Sequence, residues 1–272
     1  MNPDSNKVHN LHEASRPGGE APVRAQSSRR IDFRKGVYVL PNLITSASLF
    51  CGFYSLIQTL GGHYDKAAWA ILASAVFDAF DGTVARMTNT ASDFGVEYDS
   101  LSDAVAFGVA PGVLMYAWAL QPFGKWGWAA AFVYAACAVL RLARFNVQTL
   151  PEGGKYFAGL PSPGAGAMIA TTVLFFYYLG RGDDSKHFVL VLESFALGLL
   201  MVSTVPYLSS KKLGLEGRVP FWMIVPIPVV LALILLEPEI GLFGILVVYV
   251  AHGPLLAVLR RGRSHEIDAE SE

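Results

Sequence analysis

Charge is what this sequence has least of. Only 16% of its 272 residues are Asp, Glu, Lys or Arg, against 53% hydrophobic, and the mean hydropathy is +0.41. Soluble domains carry about a quarter charged residues, so a sizeable soluble domain is excluded. The net charge of −1 says little, because the distribution matters more than the sum; the expected partners are lipid and small molecules, and no nucleic acid. Cysteine is nearly missing as well. Cys51 and Cys137, both in apolar stretches, are the whole complement, which argues against a disulfide framework or a thiolate metal site and for two small buried hydrophobes. The first 30 residues lack the apolar run of a secretory signal and, with Pro17, Gly18 and Gly19, read as a disordered polar lead-in. No internal repeat is evident.

What is present is a succession of long apolar runs. Eight can be drawn, at about 38–60, 66–87, 93–120, 126–148, 160–180, 186–208, 219–236 and 238–259, close to the length a helix needs to cross a bilayer. The expected fold class is therefore an all-α polytopic membrane protein. Residues 31–37 form a basic juxtamembrane segment that either lies along the headgroups or serves only to set orientation. Residues 260–272 read as a polar C-terminal tail. Seventeen Lys and Arg fall on one side of this topology, and four, Lys66, Lys125, Arg181 and Lys186, on the other. By the positive-inside rule both termini are cytoplasmic.

Against that background four carboxylates stand out. Asp78 and Asp81 are three residues apart near the cytoplasmic end of the second span, and Asp99 and Asp103 four apart at the cytoplasmic start of the third. Such neighbours share a helix face, and the short link between the spans lets the two pairs meet. Left unpaired, four aspartates in lipid would cost on the order of 10 kcal/mol, less near the interface. Divalent cations relieve both the burial and the mutual repulsion, because hard carboxylate oxygens suit Mg²⁺ or Mn²⁺. Solvation at a helix end, or pairing with Arg86, explains one aspartate better than four. A cation transporter is the competing class, but transporter sites favour the midplane, broken helices and repeats, whereas these groups cluster toward one side. Gly82 and Gly95 remove side chains beside the carboxylates and also suit helix packing.

The full pattern, Asp78-x-x-Asp81-Gly82-x-x-Ala85-Arg86, eight residues, then Gly95-x-x-x-Asp99-x-x-x-Asp103, resembles at every fixed position the signature of the CDP-alcohol phosphatidyltransferases. The resemblance covers about residues 38–210. It implies a six-helix catalytic core with a cytoplasmic-side active site, followed here by two additional transmembrane helices within 211–259. It also implies two divalent cations, a CDP-diacylglycerol donor, an alcohol acceptor and a homodimer. In that reading Asp78, Asp81 and Asp99 bind the metals, and Asp103 contributes to a metal and acts as general base. Gly82 and Arg86 contact the CDP group, joined by Ser92 and by the "PNLIT" segment, Pro41, Asn42, Leu43, Ile44 and Thr45. Pro-Asn at a helix start also reads as a cap.

Three further motifs fall on the same predicted face. They are "LRLARFN" (Leu140–Asn146), "GLPSPGAGA" (Gly159–Ala167) and Ser203-x-x-x-Tyr207-x-Ser209-x-Lys211. Together with "DSLSDAVAFGVAP" they resemble the phosphatidylserine synthase branch of the family, which implies L-serine as acceptor. Candidate acceptor-binding residues are Arg141, Arg144, Ser162, Tyr207 and Lys211, the cations being suited to a carboxylate. Acceptors such as an inositol phosphate, glycerol phosphate or choline remain the alternatives within the family. The last two spans carry no identifiable chemistry, and His252 reads as a packing residue.

Overall fold

The computed structural model describes residues 39–88, 92–147, 156–182, 187–208 and 236–269. The expected lead-in and juxtamembrane segment, nearly all of the seventh span, and Lys211 lie outside the described residues. Seven helices are described: α1 Val39–Leu60, α2 Tyr64–Thr88, α3 Asp93–Phe123, α4 Lys125–Val147, α5 Ser162–Tyr178, α6 Phe188–Val202 and α7 Pro238–Ala269. Five of them, α1 to α4 and α7, are long and apolar enough to cross a membrane. The chain is thus an all-α, multi-pass integral membrane protein. α7 runs on into the stretch read as a polar tail. Among the described residues a short antiparallel ribbon lies outside the expected helices, β1 Tyr156–Ala158 with β2 Pro206–Leu208, pairing Phe157 with Tyr207.

In lipid no hydrophobic drive pulls helices together, so close approach of small residues and interhelical hydrogen bonds must do it. α1 follows that rule along one face, where Thr45, Ser48, Ser55 and Thr59 are all buried at spacings of three, four and seven residues. Ser48 and Ser74 bond hydroxyl to hydroxyl at 2.8 Å between α1 and α2. A Cβ at Gly52 would sit 2.7 Å from Ala106 Cα of α3, and one at Gly198 of α6 would sit 3.2 Å from Tyr134 Cα of α4. The opposite face of α1 leaves Leu43, Phe50, Phe53 and Leu60 exposed, as a lipid-facing surface requires. α5 is buried without a break from Ala165 to Leu174, so it is the central helix, packed by α2, α3 and α7.

α3 is not a uniform α-helix. Immediately after Asp103 it passes through a π-helical segment at Ala104–Val109, and again at Tyr116–Leu120. A π turn leaves carbonyls badly served by the helix itself, and Tyr134 of α4 donates its hydroxyl to Phe107 O at 2.9 Å. Cys51 and Cys137 are free and half-buried, on α1 and α4. Outside the aspartate region α6 carries a further carboxylate, Glu193, which accepts from the Thr172 hydroxyl of α5 at 2.7 Å.

Candidate active site

Ser92 starts α3 a few residues after the end of α2. As its N-cap it accepts the Gly95 N–H at 3.1 Å, satisfying one of the unpaired donors of the first turn. α3 then carries Asp99 and Asp103 alongside the end of α2. Carboxylate oxygens of Asp78, Asp99 and Asp103 all lie within 4.8 Å of one another. Asp103 is only 8% exposed, and its Oδ1 is buried without a hydrogen-bond partner among the described residues.

Asp81 behaves differently from its neighbour. It is buried and accepts the Thr45 hydroxyl of α1, while Thr45 also reaches back to Pro41 O at 3.1 Å. Three residues on a helix leave about 60° between side-chain directions, enough to lean Asp78 toward α3 and Asp81 toward α1. All four carboxylates still interact electrostatically, Asp103 with Asp78, Asp99 and Asp81.

Carboxylates this close, Asp81 and Asp103 buried and Asp78 and Asp99 half-buried, repel one another, which is costly without a counter-charge. The donor set is all hard oxygen, and one oxygen is orphaned. These residues fit a divalent cation. Arg141 supplies a positive charge that acts on this cluster. It interacts with Asp103 and donates from Nη1 to Ser162 Oγ at 3.1 Å, yet its Nε is buried without a partner among the described residues.

The "PNLIT" residues divide by helix face. Pro41 and Thr45 are buried and Asn42 is half-buried beside Gly95, where a Cβ would meet Asn42 Oδ1 at 3.5 Å and Ser92 Oγ at 3.1 Å. Leu43 is 63% exposed and points away from this corner; Ile44 is half-buried. Gly82 is half-buried on α2 after Asp81. Arg86 lies on the last turns of α2, but its side chain is outside the described residues. Ser46 and Tyr98, which no motif singles out, bring their hydroxyls together at 2.9 Å beside Asn42, and Phe94 stacks on Tyr98 with ring centroids 5.9 Å apart. An aromatic pair one turn apart, Phe94 exposed and Tyr98 half-buried, gives no distinct signal in an apolar chain.

The acceptor candidates divide too. Arg141 and Ser162 come together next to Asp103. Arg144 instead donates to Val202 O at 3.3 Å, tying the last turn of α6. Tyr207 is fully buried, and its hydroxyl donates to Val250 O of α7 at 3.0 Å. Asn146, at the end of "RLARFN", donates to Ser100 Oγ of α3 at 2.9 Å. That motif therefore fastens the ends of α3, α5 and α6 to α4. Gly159, with φ +84, lets the chain pass the carbonyls of Met201 and Ser203 where a Cβ would collide, bringing Ser162 to Arg141.

The model of the CDP-alcohol phosphatidyltransferase family matches residues 38–207. A Helicobacter pylori (strain ATCC 700392 / 26695) protein named CDP-diacylglycerol--serine O-phosphatidyltransferase is 34% identical over 219 residues, 80% of this chain and 90% of its own length. A Bacillus subtilis (strain 168) protein of the same name is 34% identical over 180 residues, 65% of this chain and 94% of its own. The archaetidylserine synthase of Methanothermobacter thermautotrophicus is 36% identical over 171 residues, 62% and 69% of the two chains.

Proposed function

The chain belongs to the CDP-alcohol phosphatidyltransferase family, and from that premise we propose that it transfers the phosphatidyl group of CDP-diacylglycerol to the hydroxyl of L-serine, releasing CMP. The observation that carries the reading is the Arg141–Ser162 pair standing beside Asp103. A fixed cation next to a carboxylate cluster suits an acceptor with both a hydroxyl to deprotonate and a carboxylate to hold. The names of the relatives support the same acceptor.

Asp78, Asp99 and Asp103 would hold a divalent cation, Mg²⁺ or Mn²⁺, with Asp81 available toward a second. The chemistry such ions supply when bound is neutralisation of a diphosphate and stabilisation of its leaving group. The protein's own residues do the rest. Gly82, Arg86, Asn42, Thr45 and Ser92 would contact the CDP group, with Thr45 also fixing Asp81. Arg141 holds the serine carboxylate and so turns the hydroxyl toward Asp103. Asp103 takes the hydroxyl proton, since an alcohol is a poor nucleophile at neutral pH. The serine oxygen then forms its bond to the lipid-side phosphorus as the bond to CMP breaks. The buried flank of the site limits water as a competing nucleophile. The charge distribution supports a cytoplasmic active site and cytoplasmic termini, and a homodimer is the assembly the family resemblance implies.

The test is CMP release from purified protein in detergent or lipid with CDP-diacylglycerol and Mn²⁺ or Mg²⁺. Serine, glycerol 3-phosphate, inositol phosphate and choline are supplied one at a time. Release with serine alone is expected. Release with a different acceptor keeps the family and overturns the serine assignment.

A further inference from the structure

The family match ends at residue 207, and α7 lies wholly beyond it. Nothing in the sequence of α7 singles out a functional residue, yet the helix is fastened to the active-site side of the core with some care. Tyr207 donates to Val250 O at 3.0 Å. The Tyr207 ring also occupies the space a side chain at Gly253 would need, so α7 and β2 meet at one defined register. One residue before Val250 on α7, the Tyr249 ring lies 5.8 Å from that of Tyr207. It packs against Gly164, where a Cβ would sit 3.2 Å from Tyr249 Cε1. Gly164 is two residues from Ser162, the partner of Arg141.

Tyr249 therefore stands at the corner formed by the start of α5 and Arg141, near enough to interact electrostatically with the guanidinium. Its hydroxyl makes no hydrogen bond among the described residues, unlike those of Tyr134 and Tyr207, which are both committed to backbone carbonyls. Arg141 Nε is likewise without a partner there. Two donors without a hydrogen-bond partner among the described residues, one charged and one neutral, on separate helices and close enough to interact, are suited to a carboxylate.

We infer that Tyr249 is a specificity-determining residue, its hydroxyl joining Arg141 in receiving the carboxylate of an amino-acid acceptor. The inference rests on the serine reading above and extends it to a helix outside the family match. α7 is then a wall of the acceptor pocket as well as an anchor.

The experiment is steady-state CMP release by the full-length protein and by Tyr249→Phe, varying serine and CDP-diacylglycerol separately. Loss of one hydrogen bond to a charged group corresponds to about 10- to 100-fold in affinity. The KM for serine is expected to rise by that factor, with the KM for CDP-diacylglycerol within about twofold and a much smaller change in kcat. An unchanged serine KM overturns the inference. So does a parallel rise in both KM values, which would mark Tyr249 as scaffold only. Wild-type protein that releases CMP with another acceptor and not with serine overturns the underlying serine reading instead, so the two failures are distinguishable.

Discussion

Arg141 of α4 and Ser162 of α5 are joined at 3.1 Å, guanidinium to hydroxyl, and this bond fixes a charged side chain within a largely apolar bundle. A flexible cation at a membrane-facing helix end would snorkel to the headgroups. Held by Ser162 and drawn by Asp103, Arg141 remains inside. Arg144, one turn further on, is bound to a backbone carbonyl instead, so the two arginines of "RLARFN" divide into one at the site and one that secures α6.

Arg141→Lys should separate charge from geometry. Lysine keeps the charge but lacks the planar fork that can serve Ser162 and an acceptor carboxylate together. The expected result is a rise in serine KM of at least about tenfold, with donor KM changed little. Arg141→Ala should be worse, because truncating one member of a buried charged pair costs about 2–5 kcal/mol. Initial rates of CMP release over a serine titration check both, and an unchanged KM in Arg141→Lys would remove Arg141 from acceptor binding.

Asp103→Asn retains the shape of the side chain and loses the base. General-base catalysis contributes about 10²–10⁴ in rate, and a fall in CMP release within or beyond that range is expected. Because Asp103 also sits in the three-carboxylate cluster, binding of Mn²⁺ should be measured in parallel. Asp103→Asn at saturating Mn²⁺ with a near-normal rate would exclude it as the base.

Thr45→Val tests the hydrogen bond that reaches Asp81 across the α1–α2 interface. The two side chains have nearly the same volume, so packing is preserved and only the hydroxyl goes. Groups that orient ligating carboxylates are worth about 10- to 100-fold in metal affinity. The Mn²⁺ concentration for half-maximal activity should rise by that order, while the rate at saturating metal recovers. Failure to recover with added metal would point to a role for Thr45 elsewhere.

The aspartate site was legible in the sequence because helical spacing is rigid. Residues three and four apart must share a face, and the short link between spans leaves two such faces little choice but to meet. Finer features had no such rule behind them. The lean of Asp81 toward Thr45 depends on how closely α1 packs, which small residues permit but do not announce. The π segment after Asp103 has no composition of its own. Tyr207 reads as a polar motif residue, and only the position of α7 turns its hydroxyl toward Val250. Tyr249 is a single tyrosine in an apolar helix, with no spacing partner to mark it.

The same close packing makes a stability prediction in which two glycines should respond in opposite directions. At Gly52 a Cβ would sit 2.7 Å from Ala106 Cα and 2.9 Å from its Cβ, so Gly52→Val must force α1 away from α3 near the π segment. Overpacking of this kind costs about 1–3 kcal/mol, and a fall in Tm on the order of 5 °C in detergent is expected. CMP release should fall as well, since α3 carries Asp99 and Asp103. At Gly244, inside α7, nothing lies within 4 Å of the built Cβ. Gly244→Ala should be neutral or stabilising by up to about 1 kcal/mol, through helix propensity alone. Thermal melts of both variants followed by circular dichroism check the pair. Equal responses would mean that the approach of α1 to α3 is looser than the Gly52–Ala106 distance requires.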